Sequence, residues 1–401
     1  MSNICGKYAF VGLGLTKQGK LPEYTVDELA TQAILLALED SGIQKQEIDG
    51  YIYQPGIGGG PTRSAPIRNA GIPARFCWEL QTGSASGIST VIAAIGTMEA
   101  GLCQACILVH ATSAASLGTV ASKDGGSKIT LAARAPVGGQ RSTWGAYGYF
   151  GPVAVAAWIA QRYMHLYGLT REQMGAVAMT LREYANKRSD AIMYDKKLTL
   201  DDYMNTRMVV APMCLYDCCL VNDGAVAMII TSAERAKYLK RDPVYVMGFG
   251  LDHSISQIGQ SPQAIWHWDG FMTRHAGKKA FEMAGISLQD VDVAEMYDAF
   301  SIFLLSQLES YGICGKGESG AFVAEGNLKL NGRWPSNTSG TGLSWAYLQG
   351  FAHITEGIRQ LRGEAGECQV KDAEIAMVTG LGGAAEPAAG SSIACCILGR
   401  K

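Results

Sequence analysis

The stretch from Asn337 to Gly363, NTSGTGLSWAYLQGFAHITEGIRQLRG, sets a phenol beside a glycine-loose turn. Ser339-Gly340-Thr341-Gly342 opens an apolar helix, and such a turn leaves backbone N–H groups free to face an oxygen or a phosphate at the helix N-terminus. The spacing of Trp345, Leu348, Ile354, Ile358 and Leu361 predicts a largely buried helix from about Ser344, stopped by Gly363 after Arg359 and Arg362. Tyr347 falls in its first turn. A phenol can give or take a proton and can hydrogen-bond an oxyanion. A single tyrosine early in a helix is nonetheless more often a packing residue with a satisfied hydroxyl. A second phenol, Tyr297, heads Tyr-Asp-Ala-Phe at 297–300; the following Asp298 reads as the cap of a helix whose core stripe is Phe300, Phe303, Leu304 and Leu308. Ser84 lies in Gly83-Ser84-Ala85-Ser86-Gly87, a tight turn into a small, apolar helix reaching Ala100.

Other reactive residues carry weaker signals. His353 falls inside the predicted helix and is expected in the core or behind the site. His253, His267 and His275 precede the next long helix. His253 follows the strand-like VYVMGFG, at the end where loops carry function in open α/β sheets, and is a reserve proton-relay candidate in the pocket. Gly12 and Gly14 give GLG without a following GxGxxG, which argues against a dinucleotide site. Cys103 and Cys106 form a CxxC inside an apolar segment, with no second CxxC or CxxH, so neither zinc nor redox work is expected of them. Cys218-Cys219 and Cys395-Cys396 read as core residues on opposite strand faces.

These residues need a large scaffold, and 401 residues supply one, enough for two or three domains. A net charge of -2 gives no electrostatic case for nucleic acid or an acidic membrane. Eleven cysteines, an odd number, and a start without a basic region leading into an apolar run point to free thiols and a cytoplasmic chain. Uncharged stretches such as Ser142 to Gln161 contain Gly, Pro, Ser, Thr and Gln and read as buried globular segments, not membrane spans.

In chain order, Tyr8–Gly14 is a buried strand. Thr25 caps a helix through Asp40, and strands follow at 51–53, 75–80 and 105–110. Residues 111–215 change composition: a Gly/Ser/Ala-rich part, then helical stretches at 151–167 and 171–188, read as an inserted subdomain covering a ligand. A strand at 226–231 follows. The chain then repeats itself. ALEDSGIQKQEID at 37–49 aligns with AFEMAGISLQDVD at 280–292, an offset of 243, and YAFVGLG recurs as VYVMGFG. Two duplicated strand–helix halves imply a mostly parallel sheet covered by helices, packed as a five-layer α/β/α/β/α sandwich. The domains so expected are a first half at 1–110 and 216–240, the insertion at 111–215, and a second half at 241–401.

Along essentially its whole length the sequence resembles the thiolase superfamily. The resemblance rests on the duplicated halves, the insertion in the first, DCCLVNDGAVAMIITSAERA at 217–236, and four active-site segments in order: GSASG at 83–87, YDAF at 297–300, the loop and helix at 337–363, and TGLGG at 379–383. The departures are specific. The family's nucleophilic cysteine position is Ser84, its Asn-Glu-Ala-Phe reads Tyr297-Asp298-Ala299-Phe300, and its Gly-His-Pro reads Ala346-Tyr347-Leu348. No second catalytic cysteine precedes Gly382-Gly383. Cys77, the thiol nearest in sequence to the first site, lies seven residues upstream in a strand. Acyl transfer needs a covalent nucleophile, so three readings compete: a non-catalytic acyl-CoA-binding subunit, an acyltransferase using Ser84, and a reaction without an acyl-enzyme.

The sequence is similar in particular to the lipid-transfer-protein branch of sterol-carrier-type thiolases, which includes the aldolases of bacterial steroid side-chain degradation. The match runs through EMYDAFSIFLLSQLESYGICGKGESGAF at 295–322 and through 337–363. The resemblance implies catalysis by Tyr297 and Tyr347 in the retro-aldol cleavage of a β-hydroxyacyl-CoA, with no metal and no covalently bound cofactor. It places Ser84 and Asp298 in the pocket, and gives Ser339, Gly340, Gly382 and Gly383 to the thioester oxygen or coenzyme A. It also implies a homodimer and a small zinc-ribbon/OB-fold acyl-CoA-binding partner.

Overall fold

In a computed structural model of the chain, the described residues are 4–56, 61, 63–116, 152–254, 273–382 and 391–400. Strand β1 (Tyr8–Leu15) leads into helix α1 (Val26–Ser41). Thr25 starts that helix with a reciprocal cap: its hydroxyl accepts from the Glu28 N–H at 3.2 Å, and the Glu28 carboxylate accepts from the Thr25 N–H at 2.8 Å. Strands β2 (Gly50–Pro55) and β3 (Phe76–Glu79), helix α2 (Ser86–Glu99) and strand β4 (Ala105–Ser113) complete the outer part of the first half. The insertion contributes α3 (Pro152–Tyr167), α4 (Arg171–Ala185) and a small hairpin, β5 (Met208–Val210) with β6 (Met213–Cys214). Strand β7 (Asp223–Ser232) then returns to the first half. The second half has β8 (Val244–Ser254), α5 (Thr273–Ala284), β9 (Val293–Glu295), α6 (Ser301–Ser310), α7 (Gly350–Arg362), β10 (Ile375–Gly382) and β11 (Ser391–Gly399).

Nine strands join in the order β3-β2-β4-β7-β1-β8-β11-β10-β9. The expectation of a mostly parallel sheet is corrected. Only β3-β2-β4 and β10-β9 are parallel, and every pairing between β4 and β10 is antiparallel. Strand–helix–strand alternation forces parallel pairing only at the two wings, where a helix bridges the strands. The four central strands return through longer connections and alternate in direction.

Three apolar cores explain the five layers. One face of the first half-sheet packs Ala9, Val11, Tyr51, Ile107 and Ile229 against Ala30, Ala33, Ile34 and Ala37 of α1. The opposite face and the inner face of the second half-sheet share a core with α2 and α7, through Ile88, Val91, Ile354 and Ile358. The outer face of the second half packs Met377, Ile393 and Cys395 against α5, α6 and the insertion helices. Period-2 alternation sends successive residues of β11, Cys395 and Cys396, into different cores.

The repeat has a physical counterpart. Asp49 accepts from the N–H groups of Gln104 and Ala105 at 2.9 and 3.0 Å; Asp292, 243 positions on, accepts from Glu374 and Ile375 at 2.8 and 2.9 Å. Each carboxylate ties down the start of a neighbouring strand. A Cβ at Gly14 would lie 2.0 Å from the Ala33 carbonyl oxygen, and one at Gly250 would lie 2.0 Å from that of Ala276. In both halves glycine lets a strand backbone touch its covering helix.

Candidate active site

The predicted helix over 344–363 is broken. Residues Thr341–Trp345 form one wide π-type turn, Ala346 is extended (φ -164°, ψ 143°), and the regular helix begins only at Gly350. Tyr347 therefore sits on the link between two helical pieces, not in a first helical turn. Its N–H donates to Asn222 Oδ1 at 2.8 Å, which holds the link against the start of β7. Gly363 does end α7 in the left-handed conformation, φ 73°.

This link brings Tyr347 to the other two hydroxyls. Tyr297 Oη lies 2.7 Å from Ser84 Oγ and 2.9 Å from Tyr347 Oη, and Ser84 Oγ lies 3.2 Å from Tyr347 Oη. Each of the three can donate to one neighbour and accept from the other, so the triangle closes as a ring of hydrogen bonds. Tyr297 is 4% exposed and Ser84 6%, whereas Tyr347 is only partly buried. The ring thus has one half-buried member and two buried ones.

Burial is the main reason that both phenols titrate above the ordinary tyrosine range, because a phenolate would lose its hydration there. The Cys219 thiol adds to this electrostatically at both. Hydrogen bonds from Ser84 and Tyr297 favour the phenolate of Tyr347, whereas the bond to Tyr347 works against ionising Tyr297. Both resting groups are neutral acids at physiological pH. Cys219 itself is raised by burial, then by Cys218 and Asp298, so it is no resident thiolate nucleophile. Cys77 is exposed on β3.

Asp298 does not cap the following helix, whose first flanking residue, Phe300, makes no side-chain cap. It caps the π-type turn. Oδ1 accepts from Gly342 N at 3.0 Å, and Oδ2 accepts from Thr341 Oγ1 at 2.5 Å and Leu343 N at 3.3 Å. The side chain reaches across to a wide turn with exposed N–H groups instead of down its own strand exit. His353 Nε2 lies 2.9 Å from Asp298 Oδ1, and Nδ1 has no partner among the described residues, so the Nε2–H tautomer donates to the carboxylate. The imidazole lies against the Tyr297 ring, centroids 5.7 Å apart. His353 is a buried support behind the site, as its helical position suggested.

The expectation of free donors is also corrected at Gly340, Thr341 and Gly342. Gly340 N donates to Asn337 O at 2.8 Å, Thr341 N to Ser339 Oγ at 3.2 Å, and the next two N–H groups to Asp298. Ser339 is wholly buried. Of the glycines assigned to the thioester oxygen, Gly383 lies outside the described residues, as does His267. A Cβ on Gly382 would meet Thr82 O at 1.9 Å and Ser84 N at 2.9 Å. Gly350 and Gly380, which sequence reasoning did not single out, approach the Ser84 carbonyl in the same way. Three glycines from β10 and α7 thus cradle the turn bearing Ser84. We expect Gly382→Ala to cost about 1–3 kcal/mol of stability by overpacking and to lower kcat together with it; an unchanged melting temperature and rate would remove Gly382 from this role. His253 Nδ1 is engaged 3.0 Å from Ser392 Oγ on β11, not by any of the three hydroxyls. No group of three or more metal-ligating side chains occurs among the described residues.

A fold of two repeated halves, with an active-site turn on α2 opposed by segments before α6 and α7, is the thiolase arrangement. Residues 11–234 match the thiolase N-terminal domain and residues 257–399 the thiolase C-terminal domain-like family. The chain belongs to the thiolase superfamily. Within it, the chain is 34% identical over 363 residues to the 17-hydroxy-3-oxo-4-pregnene-20-carboxyl-CoA lyase of Mycobacterium tuberculosis, a match covering 90% of this chain and 92% of that one. It is 30% identical over 371 residues to the steroid side-chain-cleaving aldolase of Thermomonospora curvata, with the same coverage of 90% and 92%. The solved Ltp2-ChsH2(DUF35) aldolase superposes with a TM-score of 0.84 at 28% identity, covering 99% of each chain. Human mitochondrial 3-ketoacyl-CoA thiolase, at 15% identity and a TM-score of 0.68, shares the fold.

Proposed function

We propose that this protein is a thiolase-fold carbon–carbon lyase that cleaves a β-hydroxyacyl-CoA by retro-aldol chemistry. One observation carries the reading: a contiguous ring of three hydroxyls, Ser84, Tyr297 and Tyr347, stands where the resemblance puts the family's cysteine, asparagine and histidine. The similarity to two curated aldolase/lyases and to a solved aldolase supports it.

The chemistry needs a base, an acid and no acyl-enzyme. The base removes the β-hydroxyl proton, the Cα–Cβ bond breaks, and its electron pair passes to the α-carbon as a thioester enolate. A carbonyl compound leaves, and a proton returns to the α-carbon to give a shorter acyl-CoA. Tyr347 is the least buried of the three, and its phenolate is the one favoured by the ring's other donors, so we assign it the base role. Because burial holds it protonated at rest, its proton must leave in concert with bond cleavage or pass around the ring. Tyr297, deeper and harder to ionise, then returns a proton as the acid. Product analysis by mass spectrometry, after incubation with β-hydroxyacyl-CoA candidates, tests the assignment. A ketone or aldehyde plus a shortened acyl-CoA supports it, and tight binding without turnover overturns it.

The acyltransferase reading separates on Ser84. Its Oγ contributes one neutral hydrogen bond to the ring, worth about 0.5–1.5 kcal/mol. Ser84→Ala should therefore slow the lyase by no more than about tenfold, while abolishing any acyl transfer. Complete loss of lyase activity in this variant contradicts the role given to the serine.

Two assemblies belong to the same proposal. Among the described residues the outermost strand β3 pairs with β2 alone and exposes Cys77 and Trp78, an edge suited to a second copy in a homodimer. The Ltp2-ChsH2(DUF35) aldolase, whose name joins two components, supports a partner protein as well, and we give it the small zinc-ribbon/OB-fold, acyl-CoA-binding form that the family resemblance implies. Light scattering of the chain, alone and with such a partner, should show a dimer that takes up the second protein. A monomer indifferent to it removes both. No helix among the described residues is long and apolar enough to cross a membrane.

A further inference from the structure

At the far end of α2 from Ser84, a turn joins the helix to β4 and carries Cys103; Cys106 is the second residue of β4. The C-x-x-C spacing alone does not select a redox reading, but its surroundings do. Gly50 of β2 stands in register beside Cys106. A Cβ placed on Gly50 would lie 3.1 Å from both sulfurs. Both thiols face the same point, and a side chain there would press on both of them. Cys106 Sγ lies 3.9 Å from Ile107 O, and Thr97 Oγ1 lies 3.3 Å from Cys103 Sγ.

We propose that Cys103 and Cys106 are a reversible dithiol/disulfide pair, oxidised by low-molecular-weight disulfides.

The two sulfurs are divided as that exchange requires. The neighbouring Cys106 thiol favours a thiolate at Cys103 and lowers it to about 7 against the opposing effect of burial, with a further contribution from Thr97. Burial pushes Cys106 well up. Cys5, Cys77, Cys214, Cys218, Cys219, Cys314, Cys368, Cys395 and Cys396 are also all raised, with burial as the first cause. Both sulfurs are buried in the resting fold, with Cys103 the nearer to the surface. Cys103 is 4% exposed between exposed Leu102 and Gln104, and Cys106 has no exposure. The Cys103 thiolate attacks one sulfur of the small disulfide, forming a mixed disulfide and releasing one small thiolate. Cys106 then loses its proton and attacks the Cys103 sulfur, releasing the second small thiol. Two protein thiols are oxidised and one small disulfide is reduced to two thiols.

The test treats the whole chain with oxidised glutathione, blocks remaining thiols with N-ethylmaleimide under denaturing conditions, and maps all cysteines by mass spectrometry. We expect Cys103 and Cys106 to escape alkylation as a linked pair lacking two hydrogens, and to recover both thiols with dithiothreitol. Exposed Cys77 serves as the positive control for a simple mixed disulfide. Alkylation of both residues in a sample where Cys77 is modified overturns the proposal. So does a mixed disulfide that stalls on Cys103. Cys106→Ser and Cys106→Ala should trap that mixed disulfide at Cys103, and an unmodified Cys103 in both variants is the opposite result.

Discussion

Replacing Tyr347 or Tyr297 by Phe should lower kcat on a β-hydroxyacyl-CoA by about 10²- to 10⁴-fold each, the usual contribution of a positioned acid or base. Phenylalanine keeps the ring that packs in the surrounding core and removes only Oη, so the variants should stay folded. KM should change less than kcat, because the lost proton transfer belongs to the transition state rather than to ground-state binding. The two losses should not add. Tyr297 Oη and Tyr347 Oη are 2.9 Å apart and share Ser84, so removing either breaks the same ring, and the double variant should be little slower than the worse single one. Steady-state kinetics of both single variants and the double variant checks this. Wild-type rates in both single variants would sink the phenol mechanism.

The hydroxyl ring was legible in part. The types at 84, 297 and 347 could be read from their segments, and superfamily resemblance brought them to one pocket, where the structure puts them within hydrogen-bond reach. Strand and helix positions in the duplicated halves were also readable, because alternation and capping are local signals: Thr25 and Glu28 announce α1 without help from the rest of the chain. Three features needed long-range information. The break at Ala346 is invisible to helical spacing, since Trp345, Leu348 and Ile354 remain buried on either side of it. It is held from outside by Asn222 and Asp298. The antiparallel centre of the sheet depends on where β7 and β11 return, which alternation does not encode. The pressure on Gly350 and Gly380 arises from a turn more than 260 residues earlier in the chain; glycines alone do not name their neighbour. Cys219 was read as a packing residue, and its sequence gives no sign that it stands beside both phenols.

Asp298 decides whether the base is where it must be, and its removal should have the largest structural effect. Its carboxylate is wholly buried and takes four donors: two backbone N–H groups of the π-type turn, the Thr341 hydroxyl and the His353 imidazole. That turn ends two residues before Tyr347, and a Cβ on Gly342 would lie 2.9 Å from Asp298 Oδ1 and 3.3 Å from the Tyr347 ring. Carboxylate, turn and phenol are thus packed in contact. Asp298→Ala leaves the four donors buried without an acceptor, at a cost of about 1–3 kcal/mol for each that stays unsatisfied. Asp298→Asn is the sharper experiment. An amide oxygen can still accept from the turn, but the amide nitrogen is a donor and must face either Thr341 Oγ1 or His353 Nε2. The imidazole can accept it only by moving its proton to Nδ1, which has no partner among the described residues. We expect Asp298→Asn to fold with a penalty of about 1–3 kcal/mol, measured by denaturant unfolding. Its kcat should fall further than that of Ser84→Ala, because the displaced turn carries Tyr347 away from Tyr297 and loosens the imidazole behind the Tyr297 ring. If Asp298→Asn loses stability but keeps the wild-type kcat, the carboxylate holds the fold together without aiming the phenols.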